Sequence, residues 1–199
     1  VLEGLGAILL VLERSDFFDR DTVSVAQSLI GKRMMLDDGH VQLGGIVSET
    51  EAYTQDDPAC HAFGGNMTAR NRPMFSKPGT IYIYFIYGMY YCLNIVTEGE
   101  GRGCAVLIRG IVPLKGESIM RQRRSWTHSH SRGFLNGPGK VMQAFSVPLH
   151  WSGKCIDDED VTLAFLDEGD HPRSIEVLPR VGLSKGCDYL WRFRCYDFD

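Results

Sequence analysis

The segment Ile46-Val-Ser-Glu-Thr-Glu-Ala-Tyr53, read as an extended strand, sends Val47, Glu49, Glu51 and Tyr53 to one face. Acids at i and i+2 then lie about 6 to 7 Å apart, close to the separation at which paired carboxylates polarise a water beside a glycosidic bond. The competing reading is a strand edge bearing two solvated acids. Asn94, within Tyr91-Cys-Leu-Asn-Ile-Val, and Arg109, within Ala105-Val-Leu-Ile-Arg, put polar groups into apolar strands. A buried arginine needs an anion. Glu51 is the natural partner, which would keep its carboxylate ionised and able to orient a water, and Glu49 or another acid is the alternative. His61 follows Asp56-Asp-Pro-Ala-Cys on a polar loop, where a histidine alone is more often a surface or packing residue than a catalytic one.

The run Ile81-Tyr-Ile-Tyr-Phe-Ile-Tyr-Gly-Met-Tyr-Tyr-Cys-Leu-Asn94 holds five of the chain's eight tyrosines. A tyrosine ring stacks on a flat partner while its hydroxyl meets water or phosphate. Gly88 interrupts the strand pattern, so a hairpin or bulge would expose Tyr87 at its tip, a place for a wedge between base pairs. For Tyr82, Tyr90 and Tyr91 a buried strand pair is the simpler reading.

The elements that must position these residues follow from punctuation. Asp19 or Asp21 caps a helix carrying Val23, Ala26, Leu29 and Ile30, and Gly31 ends it. Strands at 32–36 and 41–47 flank Asp37-Asp38-Gly39, a hairpin turn. A polar loop at 54–79 precedes the tyrosine run, a strand at 104–112, helices at 117–124 and from Pro138, and short strands within 161–166, 175–178 and 189–196. There is no βαβ alternation. The expectation is an α+β (mixed) single domain over 1–199, built on a curved, mostly antiparallel β-sheet with flanking helices and a protruding β-hairpin. Residues 1–16 form an N-terminal arm, since the apolar stretch 5–12 is too short to span a bilayer and Glu3 precedes it.

At 199 residues, 44% hydrophobic and 23% charged, the chain can bury a sizeable core. Its six cysteines are scattered with no Cys-x-x-Cys pair, which reads as reduced, mostly buried thiols and an intracellular setting. A net charge of −4 argues against a polyanionic partner, but the charge is segregated. Between Lys115 and Lys140 six basic residues face one acid, and 61–80 carries Arg70, Arg72 and Lys77 with no acid. These segments either merge into a phosphate-binding face or, for Arg121, Arg123 and Arg124, form the solvated face of a helix.

Taken together, Glu49-Thr-Glu-Ala-Tyr53, His61, Gly64-Gly65, Arg70-Asn-Arg72, Met74-Phe75, Lys77-Pro-Gly-Thr80, Tyr84-Phe-Ile-Tyr-Gly-Met-Tyr90, Asn94, Leu107-Ile-Arg109, Gly137-Pro-Gly-Lys140 and Arg180-Val-Gly182 resemble the alkyladenine (3-methyladenine) DNA glycosylase family, in unbroken order from Phe17 to Tyr196. The resemblance implies an enzyme that flips a damaged purine from duplex DNA and hydrolyses its N-glycosidic bond with no cofactor, metal or covalent lysine intermediate. It implies Glu51 as the base that activates water, Arg109 and the Val181 carbonyl holding that water, and Glu49 in support. Tyr53, His61 and Tyr84 would sandwich the base, amides near Ala59 and His61 would read its edge, and Asn94 would crowd a guanine amino group. Tyr87 would fill the gap in the minor groove. Arg70, Arg72, Lys140 and Arg180 would contact phosphate or anchor loops. The implied partner is double-stranded DNA containing damaged purines, met by a monomer with no membrane association, in the cytoplasm or nucleoid of a bacterium or the nucleus of a eukaryote. Phe63 and Asn66 stand where mammalian members carry arginines, and the loops 53–61 and 124–136 are shorter, which points to weaker phosphate contact.

Two other readings fail on the residues, and a third is disfavoured by them. Gly133-Phe-Leu-Asn-Gly-Pro-Gly139-Lys140 has five residues between its outer glycines and Val141 where a phosphate loop carries Ser or Thr. A helix-hairpin-helix glycosylase with Lys140 as nucleophile conflicts with the strand-rich pattern. A non-catalytic binder stacking bases on tyrosines would not need Glu51 and Arg109.

Overall fold

The computed structural model describes residues 10–11, 17–169 and 171–198. Of the expected N-terminal arm only Leu10–Val11 falls within these, as a short strand, β1; the rest lies outside the described residues. Asp21 caps the first helix, α1 (Thr22–Ser28), accepting the Ser24 N–H at 2.8 Å, and Gly31 leaves it in the left-handed region. Eight further strands follow: β2 (Arg33–Asp37), β3 (Gln42–Tyr53), β4 (Ile81–Ile86), β5 (Tyr90–Val96), β6 (Ala105–Lys115), β7 (Leu163–Asp167), β8 (Glu176–Leu178) and β9 (Arg192–Arg194). Helices α2 (Glu117–Arg123) and α3 (Pro138–Phe145) lie between β6 and β7. All strand pairs are antiparallel, in the order β1-β7-β2-β3-β6-β5-β4, with β9 joined to both β3 and β8. The fold is mixed α+β, as the punctuation predicts.

Period-two alternation gives the sheet two covered faces. On one, Val47, Ile81, Ile83, Leu93, Ile95, Val106 and Ile108 meet Val25, Ala26 and Leu29 of α1 and Val141, Ala144 and Phe145 of α3. Each such buried side chain contributes about 1.5–3 kcal/mol, so this cluster fixes the sheet's curvature and register. On the other face Tyr82, Val96 and Ala105 pack with Cys60, Ala62, Met74 and Phe75 of the 54–79 loop, with Tyr53 and Tyr84 at the margin. Ile81 and Ile83 thus serve the core, and Tyr82 and Tyr84 belong to the opposite face.

β3 is an interior strand whose buried residues include both acids, which overturns the solvated-edge reading of Glu49 and Glu51. Its pairing with β6 steps at three places, once between Gly44 and Gly45 and twice beside the acids. Val47 opposes Ile111 and Glu49 opposes Gly110, leaving Ser48 extra; Thr50 then opposes Ile108, leaving Arg109 extra on β6. Such bulges re-aim side chains. Gly110 allows the close approach, since a Cβ there would lie 2.9 Å from the Glu49 Cβ.

The β4–β5 hairpin turns through Tyr87-Gly88-Met89 with Tyr87 at φ 54° and Gly88 at φ 68°. Tyr87 is 74% exposed at the tip, as the glycine placement predicts. Tyr90 and Tyr91 are exposed too, against the expectation of a buried pair, because the hairpin runs beyond the edge of the core.

Candidate active site

Glu51 is fully buried and its two carboxylate oxygens have different partners. Oε1 accepts the backbone N–H of Val181 at 2.9 Å. Oε2 accepts the Tyr53 hydroxyl at 2.8 Å and Arg109 Nη1 at 3.4 Å. Glu49 is instead held between guanidinium groups, with Arg109 Nε and Arg192 Nη1 each 3.1 Å from its Oε1. The bulged Arg109 therefore spans both acids, and the two carboxylates are not equivalent. Burial, Glu51 and the hydrogen bond from Tyr53 to that carboxylate push the Tyr53 phenol far up, so it stays a donor. Burial opposes the charge of Arg109, and Glu51 and Glu49 outweigh it, holding the guanidinium above its usual value.

Beside Glu51 opens a cavity of about 160 Å³. Its wall includes Tyr53, Ala59, His61, Tyr84, Tyr87, Asn94, Arg109 and Val181, together with Tyr82, Leu107 and Pro138. Glu51 is not itself in the wall; it lies behind Tyr53, Arg109 and Val181, all of which are. The His61 and Tyr84 rings meet edge to face at 4.6 Å, and His61 Nδ1 is 2.9 Å from the Tyr82 hydroxyl. Burial, then the neighbouring Arg70, lower the His61 pKa, so the imidazole is neutral near neutral pH. Asn94 is buried and donates to the Tyr82 and Cys92 carbonyls at 3.0 and 3.3 Å, which leaves its amide oxygen as the free acceptor.

Several expectations need correcting. Val181, expected to hold the water through its carbonyl, meets Glu51 through its N–H. The Ala59 N–H is not available to read a base edge, because it donates to Asp57 Oδ1 at 3.0 Å. Arg180 is buried and paired with Asp57, which fits the loop-anchoring alternative of its two expected roles. Lys140 bonds Asn136 and the Gly133 carbonyl, the latter at 3.0 Å, and so ties the loop before α3. Arg70 and Arg72 are both exposed; Arg70 bonds the Phe85 carbonyl at 3.0 Å with its guanidinium over Tyr84. Arg121, Arg123 and Arg124 form neither a phosphate face nor a solvated one. They bond Glu117, Asp38 and backbone carbonyls at 128, 134, 144 and 145. Sequence reasoning missed Asp57, Arg192 and Tyr82. Their signal lay in the rule already applied to Arg109, that a buried charge or phenol needs a partner.

A profile of the family described as methylpurine-DNA glycosylase (MPG) matches residues 16–198. The chain belongs to that family. Among its relatives, a protein of Prosthecochloris aestuarii is 45% identical over 182 residues, covering 89% of this chain and 84% of the relative. One of Methanocella arvoryzae is 43% identical over 188 residues, with 92% and 90% covered, and one of Carboxydothermus hydrogenoformans is 40% identical over 178 residues, with 89% and 91% covered. All three carry the name "Putative 3-methyladenine DNA glycosylase". Membership makes this chain a DNA glycosylase, a hydrolase of N-glycosyl bonds. Among the described residues no group of three or more His, Cys, Asp or Glu is placed to hold a metal ion, and no helix is long and apolar enough to cross a membrane.

Proposed function

We propose that this glycosylase flips damaged purines, namely alkylated adenine or guanine and hypoxanthine, from duplex DNA into the 160 Å³ cavity and releases them by attack of a water activated by Glu51. The observation that carries the reading is the placement of Glu51: a fully buried carboxylate behind the Tyr53, Arg109 and Val181 wall of an aromatic cavity, oriented by three donors. As the base leaves, the sugar gains oxocarbenium character, which a nearby carboxylate stabilises while water bonded to it attacks C1′. Arg109 and Val181 N–H fix the direction of the carboxylate, and Glu49 fixes Arg109. The proton of the attacking water passes to Glu51, and the base departs with the bonding electron pair. An alkylated purine is already a good leaving group; hypoxanthine needs protonation or a strong hydrogen bond as it leaves.

Extruding a base costs a few kcal/mol. Stacking on Tyr53, Tyr84 and neutral His61, at about 1–3 kcal/mol per ring contact, offsets it, and Tyr87 at the hairpin tip occupies the gap. The left-handed Tyr87 backbone, uncommon for a bulky residue, supports a wedge role. Asn94 disfavours unmodified guanine by crowding its amino group, a penalty that an alkylated guanine offsets as a better leaving group. Arg70 and Arg72 are the side chains placed to meet phosphate, whereas Lys140 and Arg180 act as loop anchors. Exposed Phe63 and Asn66, close in sequence to Arg70 and Arg72, support weak phosphate contact. Six cysteines in thiol form, five of them buried, support a reducing compartment, a bacterial nucleoid or a eukaryotic nucleus. A monomer is the proposed active form.

The reading is tested by incubating the protein, in EDTA, with duplexes carrying 3-methyladenine, 7-methylguanine, hypoxanthine or ethenoadenine and measuring free base. Release of at least one is expected. Binding to these duplexes with no release of any base would favour a non-catalytic binder.

A further inference from the structure

Asp57 and Arg180 lie outside the cavity wall, yet two of the three groups that hold Glu51, Tyr53 and Val181, lead back to them. Both side chains are fully buried, and Arg180 clasps both carboxylate oxygens of Asp57, Nη2 to Oδ1 at 3.0 Å. Nη1 also donates to the Ala52 carbonyl at 2.9 Å, the residue between Glu51 and Tyr53. The guanidinium lies 4.7 Å from the centre of the Tyr53 ring and 5.2 Å from that of Trp191. Arg180 immediately precedes Val181, whose N–H meets Glu51. Asp57 Oδ1 accepts the Ala59 N–H, and Ala59 is part of the cavity wall. Gly186 closes over the pair: a Cβ there would fall 2.7 Å from Asp57 Oδ1.

Packing alone does not account for this arrangement. Apolar residues of similar volume commonly stabilise a core as well as a buried ion pair does, and Arg180 Nε is buried without a partner, a cost that packing gives no reason to keep. We infer that the Asp57–Arg180 pair is a positioning device that holds the Tyr53 hydroxyl and the Val181 N–H on the Glu51 carboxylate and sets the Ala59 wall against the flipped base. Neither residue touches reacting atoms. The inference rests on the reading of Glu51 as the base.

The double variant Asp57→Leu/Arg180→Met replaces the pair with apolar side chains and tests the device without leaving a lone buried charge. The measurements are single-turnover base release, affinity for lesion duplex and melting temperature, with Glu51→Gln run alongside. Misplacing the carboxylate predicts a fall in release of about 100-fold, with affinity within a few-fold of the parent. Wild-type release by the folded double variant overturns the inference, as does a proportionate loss of rate and affinity. If the double variant does not fold, Gly186→Ala presses on the pair without removing a charge; a rate loss that exceeds its affinity loss supports the device, and an unchanged rate overturns it. Undiminished release by Glu51→Gln strikes the reading of Glu51 rather than the pair.

Discussion

Arg109→Met tests whether one guanidinium governs both acids. Arg109 lies 3.1 Å from Glu49 and 3.4 Å from Glu51, and the three side chains are 14%, 6% and 0% exposed, so solvent screening is small. At an effective dielectric of about 20, a unit pair 3.4 Å apart attracts by about 5 kcal/mol, most of which desolvation takes back. Removing one partner is different, because it leaves the other charge buried and unmatched, at about 3–5 kcal/mol. Glu49 keeps Arg192, so the loss falls on Glu51, which retains Tyr53 and Val181. For a domain of this size, 1 kcal/mol moves the melting temperature by about 2–4 °C, which predicts a fall of about 6–20 °C. Base release, measured in single turnover well below the melting point, should drop by about 100-fold because the carboxylate is no longer held in place. Arg109→Lys should lose less stability but nearly as much rate, since one ammonium cannot reproduce a fork that reaches Nε to one acid and Nη1 to the other. If Arg109→Met melts and excises like the parent, the bridging argument is refuted.

Three further outcomes follow. Tyr87→Ser should weaken lesion-duplex binding with little change in melting temperature, because the side chain is 74% exposed; unchanged affinity would remove it from the interface. Asn94→Ala should destabilise by about 1–3 kcal/mol, since two buried carbonyls lose their donor, and should raise release of guanine relative to hypoxanthine; an unaltered ratio would end the crowding argument. His61 has a folded pKa below its ordinary 6.5, so in that window the unfolded chain binds more protons and stability falls as the pH drops from 6.5 through the lower folded value. His61→Gln should flatten that part of the stability–pH curve, and identical curves would show that the histidine is not held neutral.

The strand pattern, helix caps and hairpin tip were legible because they depend on local rules: alternation in β3 to β6, Asp21 at a cap, Gly88 at a turn. The site's asymmetry was not. Spacing makes Glu49 and Glu51 alike, and only the bulges at Ser48 and Arg109, set by pairing with a strand some sixty residues away, give them different partners. Arg123 and Arg124 looked available for phosphate because their acceptors are backbone carbonyls and Asp38, which charge counting over 115–140 does not see. Tyr90 and Tyr91 were misjudged because alternation says which residues share a face and not where the sheet ends.

Catalysis here turns on Glu51 activating the water. Single-turnover release from a lesion duplex by Glu51→Gln, with binding measured on the same duplex, tests it most directly. The amide keeps acceptors and shape but cannot take a proton, so binding should persist while release falls by at least about 100-fold. Release at the parent rate would contradict the account.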